Sequence, residues 1–223
     1  MIKSLAMCVV LSAGLAVVRP LAAQAEDAGV VLDRASAAYD STRTLTADFM
    51  QVVTNPMIGE PDTTYGRLSQ QRPNFFEMLF RLPRGDRIVA DGRYLWLYTP
   101  STTPGQVIRT PIPNVGTTGP NLIGQFVDHA RERYRATYVR SDTLSGSDGL
   151  ADVIALEPIV ADLPYRSAVI WVARRDSLVR RLDITESSGQ LRTVVLHAIQ
   201  VNSAISSRAF AFSVPRGVHV VSQ

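Results

Sequence analysis

Apolar and polar residues alternate through most of the chain. Residues 75–82 show this best: Phe76, Met78, Phe80 and Leu82 fall on one face, and Phe75, Glu77, Leu79 and Arg81 on the other. The same period predicts strands over 44–54, with Leu45, Ala47, Phe49 and Gln51 on one face, and over 65–70. Residues 88–90 and 94–99 read as a hairpin closed by Asp91-Gly92, a dipeptide suited to tight turns. Its second arm puts Tyr94, Trp96 and Tyr98 on one face and Leu95 and Leu97 on the other. Further strands are expected at 106–110, 134–140, 153–157, 168–173, 178–186, 191–202 and 210–214, with turn residues between them.

Two segments follow a helical period instead. Residues 26–39 carry Val31, Ala35 and Ala38 at i, i+4 and i+7. Asn121 can cap a second helix that runs through Leu122, Ile123, Phe126 and Ala130 to a charged end at Arg131-Glu132-Arg133. It follows a stretch rich in Pro and Gly between Pro100 and Pro120. Many strands and few helices predict a mainly β chain, built as one antiparallel barrel or strongly curved sheet. No linker or internal repeat divides it.

Composition sharpens the picture. At 223 residues and 46% hydrophobic, the chain can bury one sizeable core. Its formal charge of +3 hints at nucleic acid, but the first 25 residues read as a secretory signal. Lys3 supplies the positive start, Ala6 to Val18 the apolar run, and Ala23-Gln24-Ala25 the cleavage site. Taking Lys3 and Arg19 from the 23 basic residues leaves 21, all Arg, against 20 acids. A near-neutral domain over 26–223 argues against a general nucleic-acid binder. The lone cysteine, Cys8, lies within the signal, so the exported chain has no thiol, no disulfide and no Cys-ligated metal. Export without disulfides fits a periplasm.

Catalytic signatures are missing from the sequence. It has no nucleophile elbow, phosphate loop or dinucleotide fingerprint. His129, His197 and His219 are scattered, without ligand spacing. Asp86 and Asp91 both sit in turn dipeptides, which suits a turn role better than a catalytic pair. What remains is a curved apolar face and an amphipathic helix. Two readings stand: an ordinary core plugged by the helix, or a cavity with the helix as its lid.

An ordered set of short motifs bears on that choice. It comprises Leu45-Thr46-Ala47-Asp48-Phe49-Met50-Gln51, Gly66-Arg67-Leu68 and Arg72-Pro73-Asn74-Phe75-Phe76. It continues through the stretch from Ala90 to Tyr98 and ends with the stretch from Phe210 to Val218. Together these span nearly the whole exported chain, which resembles the LolA family of periplasmic outer-membrane lipoprotein carriers. The resemblance implies an unclosed antiparallel β-barrel with a helical lid, no covalent chemistry, no cofactor and a monomer. It implies that acyl chains of lipoproteins are received from an inner-membrane ABC transporter, bound in an apolar cavity, and passed to an outer-membrane receptor. The family's functional arginine falls on Arg72, where it is expected to pin the lid through hydrogen bonds to lid backbone. The cavity set is expected to be Phe49, Phe76, Met78, Phe80 and Trp96, with Leu122, Ile123 and Phe126 from the lid and Val127 beside them. A related shuttle for free lipid or glycolipid, or a sensor of lipoproteins, would share this architecture.

Overall fold

The computed structural model describes residues 27–57, 59–112, 121–161 and 163–223. The expected signal segment and the last part of the Pro- and Gly-rich stretch, residues 113–120, lie outside them. The described strands form one sheet. Helix α1 (Ala28–Asp40) leads into β1 (Thr44–Thr54), β2 (Pro61–Gln71), β3 (Phe75–Leu82), β4 (Arg87–Asp91), β5 (Tyr94–Tyr98) and β6 (Gln106–Pro111). Two single turns, α2 (Gly124–Val127) and α3 (Ala130–Arg133), precede β7 (Tyr134–Thr143). The chain then meanders through β8 (Leu150–Pro158), β9 (Tyr165–Ala173), β10 (Val179–Glu186) and β11 (Leu191–Val201) and ends at β12 (His219–Ser222).

The spatial order is β12-β6-β5-β4-β3-β2-β1-β11-β10-β9-β8-β7. Every pairing is antiparallel except that of β12 with β6. β7 and β12 are the two edges and do not meet, so the curved sheet stays unclosed. One cause of the curvature is visible at Gly66. It pairs with Phe49 on β1, and a bulge at Tyr65/Gly66 offsets it against β3. A Cβ on Gly66 would sit 2.5 Å from the Phe49 ring and 2.3 Å from the Leu79 carbonyl. Only glycine lets the ring lie flat across the bend.

The core fills the concave side. α1 lies inside it and buries Val31, Leu32, Ala35 and Tyr39. The buried stripe thus runs through Leu32 and Tyr39, and the expected Ala38 is only half-buried. Asp27 caps this helix by accepting from the Gly29 amide at 2.7 Å.

Two expected elements take another form. The expected helix over 121–133 is two turns separated at Asp128-His129, where His129 adopts φ 51°. Histidine is among the residues that tolerate the left-handed region. The break lets α2 cover the concavity while α3 feeds into the edge strand. The expected strand over 210–214 is a 3₁₀ turn (Ser207–Phe210) followed by unpaired extended chain. Its aromatic residues do not alternate across a ladder. Phe210 packs on Phe75 and Phe212 stacks on Trp96, so the segment straps the outer face of the sheet. Arg87 fastens it by donating to the Ala209 carbonyl at 3.1 Å while paired with the buried Glu77.

Candidate binding site

Residues directly opposite one another in a sheet share a face. Three such rows start at β1, two of them reaching β5 and one ending at β3. Phe49, Gly66 and Phe80 form one; Ala47, Leu68, Met78, Ile88 and Leu97 the next; Leu45, Gln70, Phe76, Ala90 and Leu95 the third. Apart from Gln70 they are apolar or glycine. Phe49 and Phe80 meet edge to face at 5.2 Å. The expected residues Phe49, Phe76, Met78 and Phe80 therefore stand together on the concave floor, buried in one cluster with Ile123, Phe126 and Val127 from the cover. Leu122 packs against that cluster from its rim.

Trp96 does not join them. It pairs with Val89, which pairs with Glu77, and that row belongs to the outer face. Its ring stacks on Phe212 at 5.2 Å and its indole N–H donates to Asp91 at 2.8 Å. The hairpin arm reads as two plausible faces from sequence, and the aromatic one turns out to lie beneath the C-terminal strap.

The described part of the cover, 121–127, is held at both ends. At its start, the Asn121 side-chain oxygen accepts from the Gly124 amide at 2.8 Å, although the N-cap position of α2 is Ile123 and not the expected Asn121. The same oxygen accepts from Gln70 Nε2 at 3.1 Å and from the Tyr39 hydroxyl. Gln70 also donates to that hydroxyl. At the far end, the Gln125 carbonyl accepts from the Tyr134 hydroxyl at 2.6 Å and from Arg133 Nη1 at 3.0 Å. Phe126 sits between these points against Tyr165 and Tyr134, ring centroids 5.2 and 6.3 Å away. Burial pushes the Tyr39 phenol up to about 12, and burial with the neighbouring Tyr165 raises Tyr134 as well. Both hydroxyls therefore stay protonated donors.

Arg72 takes a different partner from the expected one. It donates to the Tyr39 carbonyl at 2.9 Å, lies over the Tyr39 ring, and meets Asp40 at 3.3 Å. Those contacts are with the end of α1. The bonds to the cover's backbone come from Arg133 and Tyr134. Tyr39, Gln70 and Tyr134 thus enter the site unannounced by any motif. Gln70 alone left a trace, as a polar residue at an inward-facing position between Leu68 and the corner.

A second polar group ties α1 down at its other half. Asp152 of β8 is fully buried, meets Arg34 Nη2 at 3.1 Å, and accepts from Arg174 Nε at 2.9 Å and Tyr138 at 3.1 Å. Burial alone would raise its carboxyl, but Arg174, Tyr138 and Arg34 outweigh that and hold it below the ordinary range. Both Asp152 oxygens are thereby occupied, one by Arg174 and Tyr138 and the other by Arg34. Among the described residues, no three His, Cys, Asp or Glu side chains converge as a metal site.

With the cover in place the interior is nearly full. A void of about 10 Å³, lined by Tyr39, Leu45, Ile123, Val127 and Val179 among others, remains beneath it. A wider cleft of about 500 Å³ opens between the first turn of α1 and β7, walled by Leu32, Tyr134, Ala136 and Tyr138. The arrangement can bind by apolar burial, and the ligand must displace the cover or enter beside it.

The comparisons with known proteins agree with this geometry. The outer-membrane lipoprotein carrier protein of Chromobacterium violaceum is 28% identical over 207 residues, 93% of this chain and 94% of that protein. Its counterpart in Methylobacillus flagellatus is 26% identical over 185 residues, 83% of this chain and 85% of that protein. An uncharacterized conserved protein of Thermus thermophilus shares the fold at a TM-score of 0.55 and 12% identity, over 89% of this chain and all of that one. Residues 40–213 match the family described as outer membrane lipoprotein carrier protein LolA, and the chain belongs to that family.

Proposed function

We propose that this protein is a periplasmic carrier that shields the acyl chains of lipoproteins during transit between membranes. It takes them from an ABC transporter of the inner membrane and gives them up to a receptor at the outer membrane. The observation that supports this reading best is the apolar concave floor beneath the cover residues 122–127. Phe49, Phe76, Met78 and Phe80 face Ile123 and Phe126, and the cover is fastened by a handful of hydrogen bonds. Here α1 fills part of the concavity and the single turn α2 covers the floor beside it, so displacing that turn exposes the apolar rows beneath.

The energetics suit a carrier. Burial is worth about 0.8 kcal/mol per CH₂, so a sixteen-carbon chain gains on the order of 10 kcal/mol before ordering costs. Displacing Ile123, Phe126 and Val127 from the same surface offsets part of that gain. Affinity then falls into a range where cargo can be handed on. No group of the site performs a reaction in this scheme, and none needs a metal or nucleotide.

The test is to express the chain with its own leader, purify it from the periplasm, and run native mass spectrometry with lipid extraction. The expected result is a stoichiometric acylated lipoprotein bound to a monomer. Free lipid or glycolipid alone would replace this reading with a lipid shuttle. A mass without cargo, together with failure to accept a purified lipoprotein from detergent, would overturn it.

A further inference from the structure

The Asn121 side-chain oxygen joins three parts of the molecule that the sequence keeps apart. The Tyr39 hydroxyl reaches it from the end of α1, Gln70 Nε2 from β2 at 3.1 Å, and the Gly124 amide from the cover at 2.8 Å. Tyr39 and Gln70 are both buried, at 2% and 4% exposure. The group is therefore a polar junction inside the apolar cluster. Such junctions specify one arrangement, because a donor left unmade in that environment is costly. Gly124 is squeezed against this junction. A Cβ there would lie 2.0 Å from the Asn121 side-chain nitrogen and 2.7 Å from an Asp128 oxygen.

The junction also carries an opposing cost. Gln70 Oε1 and Asp128 Oδ1 are buried without a hydrogen-bond partner when the cover is down. Both recover partners from water once it lifts. Closure is thus a balance: the two donors from outside the cover, Tyr39 and Gln70, favour it, and two stranded acceptors oppose it. A balance of that kind is what a cover needs if it is to open on contact with cargo.

We propose that Asn121 is the latch of the cover, that Tyr39 and Gln70 are the groups that engage it, and that Arg72 acts on the cover only through Tyr39. Arg72 donates to the Tyr39 carbonyl and lies over its ring, which sets where the hydroxyl points. It is a positioning residue. The inference rests on the carrier reading above, but it concerns the motion of the cover and not the identity of the cargo.

The experiment is hydrogen exchange, read peptide by peptide on the full exported chain, with uptake of an apolar fluorescent dye as a second readout. Asn121→Ala should speed exchange over 123–127 about tenfold or more, while the amides of β9 and β10 keep their protection. Tyr39→Phe removes one hydroxyl, keeps the ring, and serves if Asn121→Ala fails to fold. It should act in the same direction, and the double variant should exceed the larger single effect by less than about twofold. Arg72→Leu should speed exchange in the parent chain and add nothing in the Tyr39→Phe background. Unchanged exchange over 123–127 in both Asn121→Ala and Tyr39→Phe would overturn the latch. An equal effect of Arg72→Leu with and without the Tyr39 hydroxyl would overturn the relay. A cover that opens without any rise in dye uptake supports the latch and counts against the carrier reading, so the two failures are distinct.

Discussion

The guanidinium of Arg72 lies over the ring of Tyr39, 4.8 Å from its centroid, and donates to the carbonyl of the same residue at 2.9 Å. Its ion pair with Asp40 is looser, at 3.3 Å, and Asp40 is exposed. Exposed pairs of this kind contribute about 0–1 kcal/mol, whereas the planar guanidinium stacks on the ring and donates to the carbonyl at once, a geometry a compact ammonium matches poorly. Asp40→Ala should therefore leave dye uptake within about twofold of the parent. Arg72→Lys should raise it nearly as far as Arg72→Leu, although the charge is kept. Titration of the dye against the three variants checks this, and full function in Arg72→Lys would reduce Arg72 to a simple surface charge.

Phe126 separates a core from a cover. It is fully buried against Tyr165 and Tyr134. Truncating a buried Phe in a true core costs about 3–5 kcal/mol of global stability. A residue on a movable cover costs less, because the cover lifts and the cavity is never paid for in full. Phe126→Ala should lower the urea-derived stability by about 1 kcal/mol or less and expose 123–127 to exchange. A loss of about 3 kcal/mol or more would make this segment part of the permanent core.

The sheet was legible in the sequence because alternation and burial are the same signal there. The strands at 44–54 and 75–82 have those bounds in the structure, since Asn55-Pro56 and Pro83-Arg84-Gly85 stop them locally. Where several surfaces compete for one apolar segment, alternation loses its meaning. Phe210 and Phe212 look like one face of a strand, yet each finds an aromatic partner on a sheet already complete. The cover could be read as apolar from Leu122, Ile123 and Phe126. Its fastening could not, because Tyr39, Gln70 and Asn121 are joined by tertiary contacts across 31 and 82 positions.

Trp96 offers a control on the outer face. Its ring stacks on Phe212, and Arg109 lies 5.7 Å from its centroid. Trp96→Leu should loosen the C-terminal strap, seen as faster exchange over 207–222, and leave uptake of the apolar dye unchanged. A loss of uptake in this variant would return Trp96 to the cavity set and place cargo on the outer face.

The last prediction concerns Asp128, at the end of α2. Its carboxyl is held above the ordinary carboxylate range, first by burial, with Arg72 opposing, Asp40 adding, and His129 and Arg133 opposing. One of its oxygens has no hydrogen-bond partner. A carboxyl with a raised pKa in the closed state binds its proton more tightly there than when the cover is open and the group is hydrated. Closure is therefore favoured at low pH, in full below the open-state value. The advantage fades as pH rises through the raised closed-state value. Exchange over 123–127, corrected for the intrinsic pH dependence of amide chemistry, should slow as pH falls from neutral toward the carboxylate range. Asp128→Asn mimics the protonated form, so it should hold the cover closed at neutral pH and flatten the profile. His129→Gln serves as the companion variant, because His129 is the next residue along the chain and its charge opposes the rise at Asp128. A profile that survives Asp128→Asn unchanged would remove the Asp128 carboxyl from the control of closure.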